Sequence, residues 1–236
     1  MTWFGNFYRS SIGKKAVMAA TGVILFGWIF LHMLGNVKLY LHDHENAKGV
    51  MAPAMDHYAV GLRELGAPIA PEGALLWFTR ILLLVCVVFH IHSAYALTRK
   101  NREARPVGYR DRGFVKASYA SRTMRWGGVI LLLFIIYHVL HLTTGHAHPA
   151  FEAGKVKQNV VVGLDVWWVS AIYIIANLAL GLHLYHGLWA MFSSLGLTNP
   201  RFEGLRRHFA TAFAVLITAG NVSFPLAVLA RVVRLD

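Results

Sequence analysis

A chain of 236 residues is long enough for one or two soluble domains, but 56% of it is hydrophobic and only 14% charged, and its apolar runs are too long for a water-soluble core. That composition excludes an ordinary soluble enzyme and places the chain in a bilayer. The formal net charge of +12 suggests nucleic acid, but the basic residues bracket lipid-length runs, so charge reads first as membrane topology.

In chain order, the first apolar run, about 16–41, follows Arg9, Lys14 and Lys15 and is too long for a signal-peptide core. Further runs cover about 74–98, 124–145, 164–193 and 209–233. Each reaches the ~20 residues that cross a ~30 Å hydrocarbon core. The expected fold is an all-α integral membrane protein, five transmembrane helices in one bundle over 1–236. Pro225 falls in the fifth run and predicts a kink there. Residues 42–73 read as an excursion with one short helix around Met55–Leu65, and His42, His44 and His57 in it read as surface histidines, an H-x-H metal pair being the weaker alternative. His146 and His148 receive the same surface reading. Asn101–Arg110, NREARPVGYR, is turn-prone around Pro106 and Gly108. Cys86 is the single cysteine, and there is no C-x-x-C-H for covalent haem.

Lys and Arg set the orientation. Three precede residue 16, nine lie in 99–125 and three in 201–207, whereas eight are scattered over the other connections and the carboxyl end. The amino terminus is therefore expected in the cytoplasm, with a basic inner face suited to an acidic soluble partner.

Four of the runs carry histidine: His32 in WIFLHMLGN, His90 and His92 in VVFHIHSAY, His138 and His141 in IIYHVLHLT, and His183 and His186 in HLYHGLW. Ionisable residues inside a span are costly and mark functional sites by default. A lone intramembrane histidine is as readily a hydrogen-bonding or proton-relay group; four on four helices, enough to grip two haems from both faces, are less easily bland. At 1.5 Å per residue, His32 and His138 lie roughly 24 and 21 Å from the inner ends of their helices, and His90 and His183 roughly 12 and 15 Å. Depth thus sorts His32 with His138 around an outer haem and His90 with His183 around an inner one, with imidazole nitrogen as the axial iron ligand. His92 points about 200° round the helix from His90. His141 and His186 read as donors to haem propionates or to ligand backbone, and as stand-in ligands on their helices.

The runs SSIGKKAVMAATG and FLHMLGN, then HIHSAYALTRKNREARPVGY, IIYHVLHL and HLYHGLWAMFSSLGLTNP, resemble in order the di-haem cytochrome b membrane-anchor subunit of succinate dehydrogenases and fumarate reductases, in its single-subunit five-helix form. The resemblance spans nearly the whole chain and is looser at 42–73 and 146–163. It implies two b haems held by His32, His90, His138 and His183, a flavoprotein subunit and an iron-sulfur subunit as partners, and a membrane quinone, often menaquinone, as substrate.

The function expected is then electron transfer in the cytoplasmic membrane between the iron-sulfur subunit and quinone, with no dicarboxylate chemistry on this chain. Glu64, Arg63 and His57 on the outer side, or Ser10, Ser11 and Trp189 on the inner, are the candidates for a quinone pocket. Two alternatives stay open: the cytochrome b subunit of a hydrogenase or formate dehydrogenase, and a haem-free histidine-lined transporter, for which the chain shows no convincing internal repeat.

Overall fold

The computed structural model describes residues 3–45, 49, 51–104, 117–197 and 199–235, with only the backbone described at 4 and at 117–123. Helix takes 79% of the chain. In order come α1 (Trp3–Arg9), α2 (Ser11–Asn36) with a 3-10 turn to Tyr40, the strands β1 (His44–Glu45) and β2 (Met51–Ala52), then α3 (Ala54–Glu64), α4 (Ala74–Glu103), α5 (Ala117–Leu142), α6 (Val156–Asp165), α7 (Trp167–Ser194), a 3-10 turn at Pro200–Phe202 and α8 (Glu203–Leu229). The strands pair antiparallel, His44 opposite Ala52.

Among the described residues five helical segments are long and apolar enough to cross a membrane: Ser11–Tyr40, Ala74–Glu103, Met124–Leu142, Trp167–Ser194 and Pro200–Leu229. Each overlaps a run expected from the sequence. The fifth begins earlier than expected because Asn199 accepts the Arg201 N–H and Pro200 opens the turn that leads into α8. The helix then runs on through the buried Pro225. Local chemistry explains other starts. Ser10 caps α2 by accepting the Gly13 N–H at 2.9 Å, satisfying a donor that the helix itself cannot. Gly73, at φ +77°, turns the chain into α4, and its N–H donates to the Arg63 carbonyl at 2.7 Å.

Helix α2 packs on α4, α5 on α7, and α7 on α8, while α2 also meets α7 and α8. Apolar burial does not drive this. Trp77, Leu84, Trp126 and Leu133 on α4 and α5 are each at least 60% exposed, as lipid-facing residues are. Between such helices association depends on close packing. At Gly181 a Cβ would collide with Thr218 of α8, and at Gly220 with the Met33 side chain of α2; glycine at both positions lets α8 seat against α7 and α2.

Short elements gather at one end of the bundle. Helix α6 packs on α3, α5, α7 and α8, and is tied down by the Lys157 N–H to Asp56 Oδ1, 2.9 Å, and by Lys157 Nζ to Asp43 at 2.8 Å. At the other end, α1 meets the tail of α4, where Lys100 Nζ donates to the Arg9 carbonyl at 2.7 Å. That end carries the excess of Lys and Arg; Arg105 and Arg110 of the basic segment lie outside the described residues.

Candidate functional site

The helix packing brings the histidines together in twos. The His32 ring on α2 meets the His138 ring on α5 at 5.8 Å between centres, nearly perpendicular. On α4 and α7, His90 and His183 stand 6.3 Å apart with a 57° tilt. The pairs joined by depth arithmetic are the pairs that are neighbours in space. Their surroundings are aromatic: Trp28 stacks against His32 at 5.9 Å, and Phe134 lies 5.7 Å from His138.

Each pair has its own support. His90 donates Nδ1–H to the Met18 carbonyl at 3.1 Å, with Thr21 Oγ1 at 3.2 Å, and Gly22 beside it leaves room, since a Cβ there would sit 3.5 Å from the ring. With Nδ1 protonated, Nε2 of His90 is left with its lone pair. His183 Nδ1 is buried without a partner among the described residues. In the other pair, Nδ1 of His138 is 3.2 Å from the Tyr173 hydroxyl of α7, which also lies 3.0 Å from Nδ1 of His141.

His141 is 0% exposed. It stacks on Tyr137 at 5.4 Å and on His148 at 4.9 Å, and a Cβ on Gly163 would come within 2.7 Å of its Nε2. Its two nitrogens thus face Tyr173 and α6. The surface reading of His148 is also corrected: it is half-buried and donates Nε2–H to the Asn159 carbonyl at 2.8 Å, because α6 folds back over it. His146 is exposed. His92 turns away from His90, as its angular offset requires, to the Tyr8 hydroxyl of α1 at 2.5 Å. His186 is half-buried with its ring against Tyr185.

Three of the six residues considered for a quinone pocket have structural duties. Ser10 is the α2 cap, Trp189 donates Nε1–H to Glu203 across to α8 at 3.1 Å, and His57 donates to the His44 carbonyl at 2.9 Å. Arg63 lines a cavity of about 230 Å³ with Glu72, Trp77 and Arg80. A larger cavity of about 420 Å³ opens at the α6 end, lined by His146, His148, Val166 and Trp168 among others.

The paired rings fit a haem iron. An imidazole nitrogen bonds a first-row metal at about 2.0 to 2.1 Å, so with roughly 1.1 Å from nitrogen to ring centre, two rings flanking one ion stand about 6.3 Å apart. The observed 5.8 and 6.3 Å agree to within about half an ångström. Buried polar atoms rarely lack partners in native proteins. Among the described residues Ser93 Oγ, Tyr137 Oη, His141 Nε2 and His183 Nδ1, on the helices carrying the pairs, lack one, as does Arg206 Nε on α8. Such a region suits a polar group held between helices.

No family model, curated protein or solved structure matches this chain. Fold and site define it as a multi-pass helical membrane protein with five candidate spans and two interhelical histidine pairs.

Proposed function

We propose that the chain is the membrane-anchor cytochrome b subunit of a succinate:quinone oxidoreductase, passing electrons between an iron-sulfur subunit and a membrane quinone, with menaquinone the quinone of choice. The observation that carries this reading is the pairing of four histidines from four helices at the ring separation of a bis-histidine iron site. His32 and His138 would hold one haem b, and His90 and His183 the other. Haem b, when bound, supplies a one-electron couple whose potential depends on axial ligands and burial. The protein's share is position and environment. His90 is held in the ligating tautomer by the Met18 carbonyl, and Trp28 and Phe134 give the other pair aromatic neighbours.

Quinone reduction also needs an apolar pocket with a proton donor at a membrane edge. The cavity at His146 and His148 has that chemistry, and its size lies in the usual range for small-molecule sites. A flavoprotein subunit and the iron-sulfur subunit would dock at the basic end, where Arg9 and Arg102 are exposed; by the excess of Lys and Arg this is the cytoplasmic side of the inner membrane. Charge reversal at Arg102, Arg105 and Arg110 is expected to release both subunits and leave the haem spectrum intact, and a complex that survives the triple change counts against this docking face.

A haem-free proton relay is the second reading, and the contacts running from His148 through His141 and Tyr173 to His138 favour it. Haem quantified per chain in the purified protein, with a reduced-minus-oxidised spectrum, separates the two. Near two haems per chain supports the cytochrome, and none sinks it. Co-purification of the soluble subunits then tests succinate against hydrogen or formate as the electron source.

A further inference from the structure

Tyr173 stands between two imidazoles with one hydrogen to give. Its oxygen is 3.2 Å from Nδ1 of His138 and 3.0 Å from Nδ1 of His141. A phenol donates once, and a neutral imidazole carries its proton on one nitrogen or the other. With the phenol hydrogen used in one of them, the two contacts are satisfied in only two ways. In the first, His138 donates Nδ1–H to the tyrosine oxygen, the tyrosine donates to His141, and His141 keeps its proton on Nε2. In the second, every hydrogen is reversed, so the tyrosine donates to His138 and the His138 proton moves to Nε2.

Only the first arrangement leaves a lone pair on Nε2 of His138, the nitrogen free for a metal once Nδ1 is engaged. The same arrangement puts an N–H at Nε2 of His141, which is buried and has no partner among the described residues. Nothing nearby relieves it, since the ring is sandwiched between Tyr137 and His148 and roofed by Gly163. A buried donor without an acceptor is disfavoured. Ligation at His138 therefore holds the trio in the first arrangement, against that cost.

We infer that Tyr173 is the positioning residue of the His32–His138 site, its single hydroxyl hydrogen coupling the ligating tautomer of His138 to the protonation of His141 at Nε2. This rests on the haem reading above and adds to it a reversible element on one site only. His90 at the other site donates to a main-chain carbonyl, and a carbonyl has no hydrogen to return.

Tyr173→Phe in the full chain, purified with the subunits it carries, tests the assignment by paramagnetic resonance and redox titration. The expected result is two haems retained, with the low-spin signal and midpoint potential of the His32–His138 site moved and those of the other site unchanged. His141→Phe removes the acceptor but leaves the tyrosine oxygen for His138, so it is expected to move the same signal by less. An unmoved signal in Tyr173→Phe, or an unmoved signal in His141→Phe, overturns the assignment. Should Tyr173→Phe not accumulate, ¹⁵N spectra of histidine-labelled wild type in the reduced, diamagnetic state give the same decision: a proton on Nε2 of His141 is expected, and one on Nδ1 overturns it. Wild type without haem overturns the haem reading, and that is known before any variant is made.

Discussion

The two histidine pairs solve one problem with different materials. His90 is oriented by the backbone of the neighbouring helix, through the Met18 carbonyl, with Thr21 and Gly22 alongside. His138 is oriented by a side chain, Tyr173, which is itself engaged by His141, which stacks on His148, which is pinned to Asn159 of α6. A main-chain carbonyl survives almost any substitution. A relay of four side chains does not, so sensitivity to mutation should concentrate around His32 and His138.

The largest expected effect tests whether the two sites are separate at all. His32→Ala or His138→Ala should lower haem content from about two per chain to about one, and His90→Ala or His183→Ala should remove the other haem, as read by pyridine haemochrome assay and low-temperature optical spectra. If the His32 and His90 changes abolished the same spectral component, the pairing would be wrong. Gly163→Ala against Gly22→Ala sharpens the contrast in support. A methyl at 163 presses on His141 at 2.6 Å, whereas one at 22 makes ordinary contact with His90 at 3.5 Å. The first should lose about 1–3 kcal/mol of stability by overpacking, seen as a lower thermal transition and a disturbed outer haem; the second should be close to silent. A smaller effect is expected of Thr21→Ala, at most about 1 kcal/mol, because the Met18 carbonyl still accepts from His90; a lost inner haem in this variant would show that the backbone contact alone is too weak.

His186→Ala should retain both haems and shift the inner midpoint potential, and a potentiometric titration matching wild type would remove His186 from the site. The smallest effect is one of pH. Hydrogen bonds from Lys155 and Gln158 hold the Glu152 carboxyl below its ordinary value of 4.5. A group with a depressed folded pKa stabilises the fold above its unfolded value and loses that contribution as pH falls through the folded one. The exposed turn before α6, where the Glu152 backbone also bonds the Asn159 side chain, should therefore loosen in acid below about pH 4.5. Faster amide exchange at 150–159 under those conditions, with residues 18–22 unaffected, is the outcome that keeps the comparison.

Spans and pairing were legible in the sequence because both follow from length. A run of apolar residues fixes a crossing, and a constant rise per residue turns position into depth. What depth cannot show is the direction of a side chain round the helix relative to its neighbours. Hence His148 reads as a surface residue although α6 covers it, and Tyr173 does not stand out: a tyrosine in WWVSAIYIIANL looks like any other aromatic in a span. The one signal is in spacing, since Tyr173 precedes His183 by ten residues on the same helix, roughly 15 Å toward the end where the outer pair is expected. Helix α6 was illegible for another reason. Its apolar face, with Val161 and Leu164 buried, spans only ten residues, and short amphipathic pieces merge into loops when no cap announces them.

Helix α7 touches both sites, with Tyr173 serving one and His183 the other, so its rigid rise of roughly 15 Å over ten residues acts as a ruler between them. The graduation is clamped at Gly181, where α7 lies flush against Thr218 of α8. A bulkier residue at 181 would press on the Thr218 side chain and push α7 away from α8. Both pairs would then fall out of alignment together, a correlated defect that no substitution at either pair produces, and α8, which brings no histidine to either pair, would prove to be the element that keeps the two sites in calibration.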